Sequence, residues 1–273
     1  MSWFTDRHFF LLAVAVYGLS MVYSVFLWRK GFRKDDHVNY LLLLAAFVLH
    51  TVAMIKRGFS LNQCPVNNLY EATTFLLWAL VVAYLAVGLL PRLKFLGAFA
   101  SPVLFAVGVF ALMPSLDPPR GPKPEFSGAL LSMHAATIML AYGAFGLGAV
   151  AAGMFLTQQH DLKMHKIRAV LSLLPSIQRL EIIANRLVFA GFILLTIGLA
   201  AGRHLPRPPD AAYWTDPKVI WSIFLWVVYL ALLGSRRMFP QSSRRFASGV
   251  VIAFVFLLLT FWGTNLLSTL HHP

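Results

Sequence analysis

The chain of 273 residues is 59% hydrophobic and only 12% charged, with a mean hydropathy of +0.71. This composition excludes an ordinary water-soluble enzyme or binding domain. Its formal net charge of +13 would suggest nucleic acid in a soluble protein, but in a membrane protein it marks cytoplasmic loops beside anionic headgroups. We therefore expect membrane lipids as partners and no nucleic acid.

Apolar runs of about 20 residues, long enough to cross a hydrocarbon layer of about 30 Å, recur along the whole chain. These runs should be helices, because lipid offers no partner for backbone polar groups. The sequence predicts about eight transmembrane helices, at 8–28, 38–55, 69–90, 95–113, 128–157, 185–203, 218–235 and 246–268. The expected fold is an all-α polytopic membrane helix bundle, with residues 1–273 forming a single integral membrane domain.

The orientation follows from the basic residues. Most of the 23 lysines and arginines fall in four predicted loops, at 29–37, 91–94, 158–186 and 236–245. Such loops are cytoplasmic by the positive-inside rule. Both termini and the remaining loops, at 56–68, 114–127 and 204–217, should then face the outside. Basic residues among leucines at helical spacing predict an interfacial helix within 158–186 that ends near Pro175.

Several classes of activity lack the residues they need. Cys64 is the single cysteine, so the chain has no internal disulfide and no partner thiol for a redox relay. The sequence contains no Walker loop, no zinc-type spacing of cysteine or histidine, and no nucleophile with a plausible base. It also lacks the paired inverted repeats of a small-solute permease. Hydrolase, ATPase and permease functions therefore have no support.

Two residues early in the chain are ambiguous. Glu71 is the only acidic residue near the predicted outer entrance to helix three, and it is either part of a site or half of a capping box with Asn68. His50, in helix two, is either a metal ligand or a buried, hydrogen-bonded side chain, and we favour the second interpretation.

Three histidines are candidate ligands at the outer side. His134 lies about six residues, or about 9 Å, inside the outer end of helix five, and His271 and His272 directly follow the last helix. A porphyrin iron takes two axial ligands, and imidazole is a common choice. Histidines from separate helix ends could therefore clamp one haem. The alternatives are a hydrogen-bonded side chain inside the bundle for His134 and a solvated tail for the other two.

An aromatic and acidic segment, Tyr213-Trp214-Thr-Asp216, opens helix seven on the same side. Flat rings form good walls for an apolar macrocycle. Alternatively, Asp216 caps the helix ahead of Pro217, while Tyr213 and Trp214 belong to an interfacial aromatic belt. Three basic residues nearby could bind the propionates of a haem, namely Arg203, His204 and Arg207.

Four stretches together resemble one family. They are Asn67-Asn68-Leu69-Tyr70-Glu71, Ser132-Met133-His134, Trp214-Thr215-Asp216-Pro217 and Gly263-Thr264-Asn265-Leu266-Leu267. They occur in the order seen in the CcsA-type cytochrome c assembly proteins, and the resemblance extends over about 67–272.

This resemblance implies a function and a site. Members of the family present haem b (iron protoporphyrin IX) to apocytochrome c, usually with a ResB/CcsB-type membrane partner. By analogy, His134 and His271 would be the axial ligands of the haem iron, with His272 as the alternative to His271. Tyr213, Trp214 and Asp216 would be the remainder of a tryptophan-rich platform, and Glu71 would also contribute to binding. The expected location is the bacterial cytoplasmic (inner) membrane, and any enzymatic role would belong to a haem-attachment (synthetase) complex.

Two departures from the family pattern favour an alternative. The full platform reads Trp-Gly-x-x-Trp-x-Trp-Asp, whereas this chain has only Tyr213-Trp214-Thr-Asp216. Members that transport haem also carry a histidine late in helix seven, where this chain has Gly234. Both departures resemble the HemX and YpjD branch. The alternative function is a HemX-like membrane accessory or regulatory protein of haem biosynthesis that need not transport haem.

Overall fold

The computed structural model describes residues 5–29, 37–61, 68–90, 93–117, 129–163, 175–205, 213–238 and 243–267. Within these ranges the chain forms eight α-helices and two one-turn 3-10 helices, and it contains no strand. The α-helices are α1 (Asp6–Arg29), α2 (His37–Leu61), α3 (Leu69–Gly88), α4 (Leu96–Ala111), α5 (Ala129–Lys163), α6 (Ile177–Arg203), α7 (Pro217–Met238) and α8 (Ser243–Leu267). The predicted all-α bundle is therefore confirmed.

Helix length separates α4 from the others. Seven of the eight described helices are long and apolar enough to cross a membrane. The exception, α4, has 16 residues and contains Pro102, so at about 1.5 Å per residue it falls short of a hydrocarbon layer of about 30 Å. The protein is a multi-pass membrane protein, and its described part contains seven helices of spanning length and one shorter apolar helix.

The largest boundary error concerns α6, which begins at Ile177 rather than at 185. Ser176 caps this end, because its side chain accepts a hydrogen bond from the backbone N–H of Arg179 at 3.3 Å. Glu181 then bonds to Arg236, and Ser243 donates to the same carboxylate at 2.6 Å. The start of α6 is thus held by partners on α7 and α8, and it lies beyond the predicted interfacial helix, which ends near Pro175. Residues 164–174 of that predicted segment lie outside the described residues.

The helices alternate in direction along the chain. Asp6 of α1 meets Arg57 near the end of α2, and Trp221 early in α7 donates a hydrogen bond to Thr260 late in α8. We call the end at which α1, α3, α5 and α7 begin the Arg57 end. The two central helices, α3 and α5, run side by side in the same direction. They separate α1, α2 and most of α4 from α6, α7 and α8.

Glycine allows the central pair to approach closely. A Cβ atom on Gly143 of α5 would lie 2.5 Å from the backbone carbonyl carbon of Ala79 on α3. The other glycines of α5 point to different neighbours: Gly146 meets Leu80 and Phe254, Gly148 meets Val188, and Gly153 has nothing within 4 Å. Glycines on α5 therefore face helices on several sides.

We expect Gly143→Ala to lower stability by about 1–3 kcal/mol, because the added methyl group would collide with backbone that cannot rotate away. Gly153→Ala is the matched control on the same helix, and it should cause no loss. Thermal unfolding of the two purified variants in the same detergent would measure the difference. Equal melting temperatures would contradict the close α3–α5 contact.

Candidate functional site

His134 lies in the second turn of α5, at the Arg57 end, and its side chain is half-buried against α6. Its Nδ1 atom is 2.7 Å from the carbonyl oxygen of Gly198. Because a carbonyl oxygen only accepts, Nδ1 must carry the proton. In a neutral imidazole, Nε2 then keeps its lone pair, and among the described residues Nε2 has no hydrogen-bond partner. This is the state in which a histidine can bind a metal.

The start of α7 brings a positive charge to the same place. Lys218, in the first turn of α7, is close enough for its charge to act on the His134 imidazole. Asp216 is only 3% exposed, and its Oδ1 accepts hydrogen bonds from the backbone N–H groups of Lys218 at 2.9 Å and Val219 at 3.2 Å. Asp216 is therefore the N-cap of α7, as one of the two sequence interpretations predicted.

The cap can be tested without haem. Asp216→Ala should destabilise the protein by about 1 kcal/mol, because two backbone N–H groups lose their acceptor. Asp216→Asn should be close to the native protein in thermal unfolding, since its amide oxygen can accept the same bonds. A loss in Asp216→Asn as large as that in Asp216→Ala would show that the charge, rather than the cap, is required.

Aromatic side chains pack beneath this region. Tyr142, two turns beyond His134 on α5, makes edge-to-face contacts with Trp221 of α7 and Phe261 of α8, at ring-centroid distances of 6.1 and 6.0 Å. All three are buried. The last described turns of α8 therefore run along α5 towards the His134 end. His271 and His272, which follow α8 in sequence, lie outside the described residues.

Trp214 belongs to the 3-10 turn Tyr213–Thr215 that precedes α7, and it is 68% exposed. The backbone of Tyr213 is described, whereas its side chain is outside the described part of the chain. Trp214 and Asp216 thus lie at the beginning of α7, at the same end of the bundle as His134. Of the basic residues considered for propionates, Arg203 and His204 are exposed at the end of α6, and Arg207 is outside the described residues.

Glu71 belongs to a second cluster, formed around Arg57. The Arg57 guanidinium donates to Glu71 at 2.6 Å, to Asp6 at 3.0 Å and to Asp117 at 2.5 Å. Asn68 caps α3 by accepting from the Glu71 backbone N–H at 2.8 Å and also donates to Asp117 at 2.9 Å. We call these residues the Arg57 cluster. The cap was predicted from the sequence, whereas the role of Arg57 was not.

His50 is fully buried between α1, α2 and α3, and its Nδ1 lies 3.0 Å from the Tyr17 hydroxyl. Its ring also packs against Phe10, with the centroids 4.9 Å apart. The interpretation that we favoured, a buried hydrogen-bonded histidine, is confirmed.

The residues around His134 fit a haem. An imidazole with an unprotonated Nε2 is an axial ligand, an exposed tryptophan offers a flat apolar surface, and Lys218 offers a cation for carboxylates. Among the described residues there is no group of three or more His, Cys, Asp or Glu that could hold a bare metal ion.

The chain matches a known protein family over most of its length. Residues 66–272 match the family described as Cytochrome C assembly protein. The chain belongs to this family. The matched region covers α3 to α8, and it contains His134, Trp214 and Asp216.

Similar family members include three proteins named cytochrome c biogenesis protein CcsA. The one from Synechococcus sp. (strain CC9605) is 28% identical over 265 residues, which cover 88% of this chain and 87% of that protein. The one from Prochlorococcus marinus (strain MIT 9303) is 27% identical over 286 residues, covering 94% and 90%. The one from Guillardia theta is 25% identical over 276 residues, with the same coverage of 94% and 90%.

Proposed function

We propose that this protein binds haem b at its outer face and presents it to apocytochrome c during cytochrome c biogenesis. The single observation that carries the proposal is the state of His134: its Nδ1 proton is bound to the Gly198 carbonyl, so Nε2 is available to an iron. The membership of the family supports the process in which this ligand would act.

The residues of this chain would bind and orient the haem. His134 would be one ligand of the iron, and His271, or His272 beside it, would be the second. Trp214 and Tyr213 would supply aromatic rings to the binding of the macrocycle, and Lys218 would attract a propionate carboxylate. Asp216 acts through the fold by starting α7 where Lys218 approaches His134, and Glu71 helps to fix the adjoining end of α3. Bound haem would supply the iron and the vinyl groups that react with protein thiols, whereas this chain supplies ligation and orientation.

The same proposal implies an orientation in the membrane, a protein partner and a place for any enzymatic activity. The basic loops predict that the His134 end faces the periplasmic or extracytoplasmic side of a bacterial cytoplasmic membrane. A ResB/CcsB-type protein is the proposed membrane partner, and any enzymatic activity would belong to the joint haem-attachment complex.

A second candidate is a HemX-like accessory or regulatory protein of haem biosynthesis. It is favoured by the short platform and by Gly234, which offers no ligand on α7 near the end opposite His134 and has nothing within 4 Å of a Cβ placed there. This function would depend on the basic segment at 158–186 and would not require haem at His134.

The visible spectrum of the purified full-length protein tests the proposal. The protein would be expressed with sufficient iron and haem precursor, isolated in mild detergent, and then titrated with haem in its reduced and oxidised forms. We expect a stoichiometric haem with the split α and β bands of a six-coordinate, bis-histidine iron. Failure to retain or bind haem would overturn the proposal. If function in cells then depended on 158–186 but not on His134, the accessory function would be the correct one.

A further inference from the structure

Two glycines on α6, Gly198 and Gly202, lie against the His134 imidazole. Gly198 supplies the carbonyl oxygen that accepts the Nδ1 proton at 2.7 Å. Gly202 lies one turn later on the same face of the helix, and it leaves the space that the ring occupies. A Cβ atom on Gly202 would lie 2.7 Å from Cε1 and 2.9 Å from Nδ1 of His134. Real Cβ contacts are not found at such distances, so any side chain at 202 would displace the ring.

The Cβ positions of other glycines on α6 fall on different residues of α5. The equivalent atom on Gly198 would meet Ile138, at 2.5 Å from its Cδ1, and one on Gly191 would meet Phe145, at 2.7 Å from its Cδ1. All three glycines let α6 pack tightly against α5, but of their Cβ positions only that of Gly202 falls on the imidazole. The need for glycine at 202 is therefore set by the ring of His134.

We propose that Gly202 is a positioning residue of the site. Together with the Gly198 carbonyl, it holds His134 in the Nδ1–H tautomer, with Nε2 as the ligand atom. This inference rests on the proposed function, since it assigns the ligand atom of the same haem site. Hydrogen bonding of the other ring nitrogen to a carbonyl orients metal-binding histidines in general, and its loss weakens metal binding by about 10- to 100-fold.

The tautomer can be measured without haem. Protein labelled with ¹⁵N-histidine would be examined by NMR above the imidazole pKa, and the His134 signals would be assigned by their loss in His134→Asn. We expect a protonated Nδ1 and an unprotonated Nε2, which is the minority tautomer of free imidazole side chains in water. A protonated Nε2 at His134 would overturn the inference, and this measurement does not depend on any glycine variant folding.

Variants then test the consequence for haem. Gly202→Ala should weaken haem binding by about 10- to 100-fold and change the bis-histidine spectrum. Gly191→Ala is the matched control. It adds the same methyl group to the same helix, and this methyl group also faces α5, but it meets Phe145 instead of His134. It should lower thermal stability without changing haem affinity or the His134 tautomer. Equal loss of haem affinity in the two variants would overturn the positioning role.

The two proposals fail separately. A native protein that shows the Nδ1–H tautomer but binds no haem would overturn the proposed function and support the positioning of His134 by Gly198 and Gly202. A native protein that binds haem with the other tautomer would support the proposed function and overturn the positioning of His134 by Gly198 and Gly202.

Discussion

Arg57→Met should destabilise the protein by about 3–5 kcal/mol, because it would leave buried carboxylates without the cation that neutralises them. The side chains of Glu71 and Asp117 are only 2% and 9% exposed, and Arg57 itself is 8% exposed. All three nitrogens of the guanidinium are used, and its carbon lies 5.2 Å from the centre of the Tyr70 ring. Thermal unfolding in detergent should show a large fall in the melting temperature, or no folded protein.

Arg7→Met is the matched control for this prediction. Arg7 contacts Asp117 at 3.5 Å and the Leu112 carbonyl at 3.0 Å, but its side chain is 35% exposed. Its removal should cost about 1 kcal/mol, because solvent screens an exposed ion pair. Arg57→Lys should fall between the two, since an ammonium keeps the charge but cannot reach three carboxylates with fixed geometry. A similar small loss in Arg57→Met and Arg7→Met would contradict the central position of Arg57.

His134→Ala should abolish the haem absorption band of the purified protein. Without the imidazole, the iron loses its ligand on α5, because the only other histidine of α5, His160, lies near the opposite end of that helix. The measurement is the visible spectrum of protein purified after expression with haem precursor. Imidazole added to His134→Gly should restore part of the band, because the small residue leaves room for a free ligand.

His160→Ala is the control for this second prediction. His160 is exposed near the opposite end of the same helix, α5. Its side chain can therefore be removed without disturbing the His134 end of the bundle. A band that persists unchanged in His134→Ala, or that disappears equally in both variants, would contradict His134 as the axial ligand.

The number and order of the helices were predictable from the sequence, because lipid forces each long apolar run to satisfy its own backbone. The helix ends were less predictable, because charged residues near them were interpreted as lying in solvated loops. Glu181 falls in the predicted loop 158–186, yet it lies within α6 and its carboxylate pairs with Arg236 and Ser243. A charge can remain at the end of a bundle when partners on other helices meet it, and such partners are far away in sequence.

The same limit applies to the sites. His134, Trp214 and Asp216 could be singled out by residue type, but the alignment of α5 against α6 could not. Gly198 and Gly202 look like ordinary small residues until the fold brings His134 against them. Arg57 was overlooked because it was placed in a loop, although a signal existed. Three of the chain's ten acidic residues, Asp6, Glu71 and Asp117, fall near predicted ends on one side of the membrane.

The Arg57 cluster crosses the boundary of the family match. Glu71 and Asp117 lie inside the matched region 66–272, whereas Arg57 and Asp6 come from the two helices before it. A protein reduced to the matched helices would keep two of the acids and lose the guanidinium between them. It would have to replace those acids with neutral residues or obtain a cation from another chain. The first two helices are thus an electrostatic requirement of the remaining six, and they could not be removed or exchanged as an independent module.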